Sequence, residues 1–193
     1  MIAIGLYFFL VAQIKLGGLE LRTSNGSLNW SELESKKFIL APFFSHCGAT
    51  CSVLIPELRN ALSEEGIDWQ VLAVSMDSED DASDFEDFRN RFSLPKTWIF
   101  ASGSGLQLKQ LFTKLDFGYQ ETSPRQFVHP AILYIFDPGL ELSAQLMGLN
   151  VRKELRSISA RKLPPWIVGI LLVLCLSASC GLVVFLLSKL KAR

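Results

Sequence analysis

The chain has no excess charge of either sign, with 19 basic residues against 19 acidic ones. It is also poor in metal-binding and redox side chains, with only two histidines and four cysteines in 193 residues. Without a basic excess or a basic stripe, nothing points to nucleic acid as a partner. The start lacks the basic n-region of an ordinary secretory leader, and a cut after Ala12 would put Leu10 where a small residue is preferred. What is abundant is hydrophobic residues, 49% of the chain, and many of them lie at the two ends.

Those ends set the expected organisation. Residues 1–15 read as a signal sequence or an N-terminal anchor, because Met1 to Ala12 is an apolar stretch of h-region length followed by Gln13 and Lys15. Trp166 to Leu187 runs 22 residues without a charge. At about 1.5 Å per residue that is enough to cross a hydrocarbon core of roughly 30 Å, so a single transmembrane helix is expected there. Residues 16–150 remain for one domain, 151–165 for a basic juxtamembrane connector and 188–193 for a short basic tail. A leader followed by a stop-transfer helix puts the domain on the extracytoplasmic, periplasmic side of a membrane. The positive-inside count argues the other way, since Arg152, Lys153, Arg156, Arg161 and Lys162 outnumber Lys189, Lys191 and Arg193.

This division leaves Cys47 and Cys51 as the only cysteines of the soluble part, because Cys175 and Cys180 fall in the membrane segment. Phe38-Ile39-Leu40-Ala41 reads as a buried strand, and the pair follows it where a helix should begin. On the first turn of that helix the two thiols would share one face, able to form a disulfide or to grip one soft metal ion. A plain structural staple is a poor use for them, since closing so short a loop gains little entropy.

The rest of the chain alternates strands and helices. Asn25-Gly26 signals a hairpin, with Trp30 and Leu33 on its inner side. Lys37 to Phe44 reads as a central strand ended by Pro42. Ser52 to Glu65 reads as a helix with Pro56 in its first turn or at a kink, and Trp69 to Met76 as a second strand parallel to the first. Asp77 to Asp87 holds seven acidic residues in eleven. It lacks the glycine and terminal glutamate of an EF-hand, so it is expected to be a helix start whose Phe85, Phe88 and Phe92 face the core. Trp98 to Phe100 is a short strand, Leu106 to Leu115 a helix, Gly118 to Phe127 polar and irregular, Ala131 to Phe136 a strand, and Leu140 to Met147 its antiparallel partner. Val151 to Lys162 is a final helix or a stalk.

This order, with a dithiol after the first long strand and a proline before a late one, describes a thioredoxin-like α/β fold: a central sheet flanked by helices, here followed by a C-terminal transmembrane helix. The sequence also resembles the SCO/SenC family of copper chaperones that help to assemble the binuclear copper centre of cytochrome c oxidase. The resemblance covers roughly Leu16 to Leu149. It is carried by Phe44-Ser45-His46-Cys47 with Cys51, by Val74-Ser75-Met76-Asp77 with Asp81, by His129 with Tyr134 and Asp137-Pro138-Gly139, and by the Asn25-Gly26 hairpin.

The resemblance implies that Cys47, Cys51 and His129 are ligands of copper, as Cu(I) or Cu(II), and that the two cysteines are also a redox pair. Two thiolates and an imidazole form a soft set suited to Cu(I), and a helix N-terminus beneath the thiols would lower their pKa. The implied partner is a cytochrome c oxidase subunit or another copper or thiol protein at the membrane. Four features depart from the family pattern. Gly48-Ala49 and Ser52 replace the usual residues of the cysteine loop, and Val128 stands where an aspartate often precedes the histidine. Pro130 occupies the place of the thioredoxin cis-proline, and the clear anchor is C-terminal. These keep a second reading open: a thiol-disulfide oxidoreductase without copper, in which Cys47 attacks and Cys51 resolves. A peroxidase fits poorly, with the second thiol so near and no arginine evident beside Cys47. An inert adaptor is the remaining alternative.

Overall fold

The computed structural model describes residues 16–48 and 50–159. The expected leader or anchor at 1–15 and the transmembrane helix at 166–187 lie outside the described residues, among which no helix is long and apolar enough to cross a membrane. Residues up to Leu155 form one unit and those from Arg156 another.

The fold is a seven-stranded mixed sheet with helices on it and a small hairpin beside it. In chain order its elements are β1 (Arg22–Thr23), β2 (Gly26–Ser27), α1 (Trp30–Glu34), β3 (Phe38–Phe43) and α2 (Thr50–Glu64). Next come β4 (Gln70–Ser75), α3 (Ala82–Arg91), β5 (Ile99–Ser102) and α4 (Gly105–Lys114). The last are β6 (Gln120–Ser123), β7 (Gln126–Val128), β8 (Ile132–Asp137), β9 (Glu141–Met147) and α5 (Val151–Ser159). The sheet order is β2-β1-β5-β4-β3-β8-β9, with β3, β4 and β5 parallel and β8 and β9 antiparallel to their neighbours. This is the expected thioredoxin-like arrangement.

The central strands read as continuous apolar runs because both of their faces are covered. All six residues of β3 are buried, as are five of six in β4. Leu54, Ile55, Leu58, Ala61 and Leu62 recur at helical spacing and are the buried stripe of α2. Around Phe43 the rings of Phe88 and Phe100 pack at 4.6 and 5.4 Å between centroids, so the phenylalanines of α3 do face the core.

Pro42 sits inside β3, and its position shapes the site. The amide of Met76 donates to the carbonyl of Phe43, so Phe43 turns its backbone toward β4 and Pro42 turns toward β8. Pairing with β8 runs only from Phe38 to Leu40, so the missing N–H of Pro42 costs no ladder bond. The strand therefore continues to Phe43 on its β4 side. On its β8 side it is open, and the cysteine loop and the entry to β8 meet at that gap.

Two local expectations are corrected. Trp30 begins a short helix capped by the Asn29 side chain, and its indole donates to the carbonyl of Leu19 rather than lining a hairpin. Gly118 to Phe127, expected to be irregular, instead forms with Val128 the antiparallel pair β6–β7, which the polar composition hid. Of the two places expected for Pro56 the structure takes the one inside the helix, past the first turn of α2.

Candidate metal and thiol site

Only Cys51 stands on α2; Cys47 lies in the loop before it. The loop turns through a hydrogen bond from the Cys47 amide to the carbonyl of Phe44, which points the Cys47 sulfur into the first turn of the helix. There Sγ accepts the backbone N–H of Cys51 at 3.3 Å, satisfying one of the donors a helix start leaves over. The expectation of two thiols on one helical face is thus replaced by one thiol, that of Cys47, capping the backbone amide of the other cysteine. No disulfide joins them, and both are buried.

His129 reaches the pair from the other side of the gap, directly after β7. Its Nε2 lies 3.7 Å from the Cys51 sulfur, and the donor atoms of Cys47, Cys51 and His129 all fall within 4.8 Å of one another. Its Nδ1 lies 2.9 Å from the carbonyl oxygen of Pro130. A carbonyl only accepts, so in the neutral ring the proton sits on Nδ1 and the lone pair of Nε2 faces the sulfur. Pro130 itself is in a trans peptide, since no peptide bond is cis among the described residues.

Aromatic rings wall the imidazole. Phe44 and Phe117 stand 6.1 and 5.9 Å from it, centroid to centroid, and Phe127 packs edge-on against Phe44 at 5.2 Å. The residue is half-buried overall, with its sulfur-facing side covered. Such a shell limits water at the donor atoms.

The Cys51 thiol is pushed well above its ordinary range, chiefly by its hydrogen bond to Cys47, then by burial and by the neighbouring sulfur's charge. This corrects the expectation that the helix start would lower both thiols. Cys51 therefore holds its proton more tightly than an ordinary thiol.

Behind the site lies a polar network that sequence reasoning missed. Asp80 accepts from the Ser45 amide and hydroxyl and from Ser75 Oγ, and Arg125 Nη2 donates to it at 2.8 Å. Arg125 Nε also donates to Asp77 at 2.7 Å, and Nη2 to Asp84 at 3.2 Å. These three carboxylates raise the guanidinium's pKa, Asp77 most of all. Arg125 has φ +58°, a left-handed conformation that costs a non-glycine residue about 1–2 kcal/mol, which these bonds offset. Asp81, which the resemblance singles out, instead caps α3 in a reciprocal box with Asp84.

His46 is exposed and lies against this network. Its donor atoms come within 4.8 Å of Asp77 and Asp80, but Ser45 Oγ sits 2.7 Å from its Nδ1 and Arg125 fills both carboxylates. This second cluster is already neutralised from within the chain.

A thioredoxin-like sheet that brings two cysteines and a histidine to one gap defines a dithiol–imidazole protein of the thioredoxin superfold. The SCO1/SenC family model matches residues 17–161, and the chain belongs to that family. No curated protein matches it by sequence. Among solved structures it is similar to a putative electron transfer protein from Aquifex aeolicus, at TM-score 0.64 and 23% identity, covering 72% of this chain and 87% of that one. It is similar to Arabidopsis thaliana ScoI with copper bound at TM-score 0.62 and 20% identity, over 72% and 96%. Yeast Sco1 with copper bound matches at TM-score 0.58 and 17% identity, over 77% and 95%. At these identities the likeness speaks for the fold.

Proposed function

We propose that the chain is a copper-handling member of its family, holding Cu(I) between Cys47, Cys51 and His129. On this reading it delivers the ion to a copper protein at the membrane, of which a cytochrome c oxidase subunit is the leading candidate. The observation that carries this reading is the convergence of two sulfurs and an imidazole lone pair within 4.8 Å. That soft, three-donor set suits Cu(I), which needs neither a fourth ligand nor hard oxygen. Bound copper would supply a transferable soft cation; the protein supplies the donors. The Pro130 carbonyl orients the ring, and the phenylalanines keep water from the sulfurs. Trp166 to Leu187 would anchor the domain, on the extracytoplasmic side, near such a partner.

Cu(I) titration of the purified protein tests the reading. One ion per chain is expected, with affinity that falls steeply in His129→Ala. No uptake, or uptake indifferent to His129, would sink it.

The two adjacent free thiols also favour a second use of the same residues, as a reductant of a partner's disulfide. The Cys47 thiolate attacks one partner sulfur, forming a mixed disulfide and releasing the other sulfur as a thiolate, which takes its proton from water. Cys51 then gives up its proton and attacks the Cys47 sulfur, which releases the second partner thiol and leaves Cys47–Cys51 oxidised. Here the partner is reduced and the chain oxidised by two electrons. Exchange activity that survives His129→Ala but not Cys47→Ser would mark this use.

A further inference from the structure

We infer that Arg125 is a positioning residue for His129: together with Asp80 it ties the histidine's hairpin to the cysteine loop, and so sets the distance between imidazole and thiols. The inference rests on the reading of Cys47, Cys51 and His129 as one ligand set.

Asp80 is the shared point. Its side chain is fully buried. Oδ1 takes Ser45 Oγ and Arg125 Nη2, while Oδ2 takes the Ser45 amide and Ser75 Oγ. Ser45 stands two residues before Cys47, and Arg125 four before His129. One carboxylate on the turn after β4 thus grips both strands of chain that deliver the donors. Arg91 adds a bond from its guanidinium to the Ser45 carbonyl, so the cysteine loop is held from two sides.

The hairpin needs such a grip. β6 and β7 form a sheet of their own, with no ladder to the main sheet among the described residues. All of β6 is exposed, and in β7 only Phe127 is half-buried. Phe127 against Phe44 supplies the apolar contact, and Arg125 at the turn supplies the polar one. The planar guanidinium bridges Asp77, Asp80 and Asp84 at once, which fixes the direction as well as the position of the hairpin.

Arg125→Gln is the test, with two readouts. In Cu(I) competition titrations the variant should bind about tenfold more weakly than wild type, as loss of a group that orients a ligand does. In the His129→Ala background the same change should have no further effect, because Arg125 acts through the histidine. An unchanged affinity in the wild-type background, or an equal loss in both, overturns the inference. The second readout is metal-free: amide hydrogen exchange at residues 126–129 should quicken by about tenfold in Arg125→Gln, and unchanged exchange also overturns it. If wild type takes up no copper, or His129→Ala changes nothing, the proposed function falls, and the exchange measurement alone decides the role of Arg125. Should Arg125→Gln fail to fold, Arg125→Lys gives the same two tests, since it keeps the charge but loses the bridging fork.

Discussion

The Cys51 sulfur lies 3.7 Å from His129 Nε2, although 78 residues separate the two in sequence. Cys51 comes from the first turn of α2, and His129 from the segment between β7 and β8. They meet because β8 stops pairing with β3 at Leu40, leaving space beside Pro42 and Phe43. A proline that cannot complete the ladder stands at the place where the ladder must open.

The asymmetry of the thiols predicts an order of reaction. Both thiols are buried, but Cys51 holds its proton above the ordinary thiol range and its sulfur also faces His129 Nε2. Limited alkylation of the reduced, metal-free protein near neutral pH should therefore label Cys47 first, as peptide mapping would show. Labelling of Cys51 ahead of Cys47 would contradict the assigned protonation.

Stability should fall on the alkaline side. The folded chain holds the Cys51 proton above the ordinary thiol value of 9.0, so as pH rises past that value the unfolded chain loses its proton first and gains in free energy relative to the fold. The metal-free protein should then show a declining urea midpoint between about pH 8 and about pH 10. Cys51→Ser should flatten that decline; an equally steep one in the variant would count against it.

Tyr134 offers a test of the core. Its hydroxyl is buried with no hydrogen-bond partner among the described residues, and burial raises its pKa. Tyr134→Phe removes the stranded group and keeps the ring, so denaturant unfolding should show stability unchanged or raised by about 1 kcal/mol. A clear loss would mean that the hydroxyl is satisfied in solution.

Asp81 and its neighbour Asp80 should separate cleanly. Asp81→Ala removes the cap of α3 and should cost about 1 kcal/mol of stability, with Cu(I) affinity retained. Asp80→Asn should weaken Cu(I) binding, because its carboxylate anchors Ser45 and Arg125 together. Equal effects of the two changes on affinity would deny Asp80 its separate role.

Much of the fold was legible because its elements are locally consistent. β3, β4 and β8 are apolar runs bounded by turn residues, and α2 and α4 carry stripes at helical spacing, so pattern and burial agree. Where local composition misleads, the reading failed. Residues 120–128 are polar because their hairpin is mostly exposed, and an exposed pair of strands has no apolar alternation to reveal it. Trp30 follows a hairpin turn whose alternation runs on into it, whereas the Asn29 cap before it starts a helix.

The two cysteines, their spacing and their place between strand and helix are written in the sequence alone, as is the apolar segment near the C-terminus. Local chemistry and periodicity suffice for those. His129 as the third member came from resemblance, and only the folded chain brings its ring to the sulfurs. The tertiary structure also decided that the Cys51 thiol is hard to ionise, that Asp80 rather than Asp81 serves the site, and that Arg125 reaches three carboxylates from a hairpin more than forty residues away. Each of these depends on contacts between segments distant in sequence. No local propensity encodes such a distance, and burial, which sets the charge states, exists only once the sheet has formed.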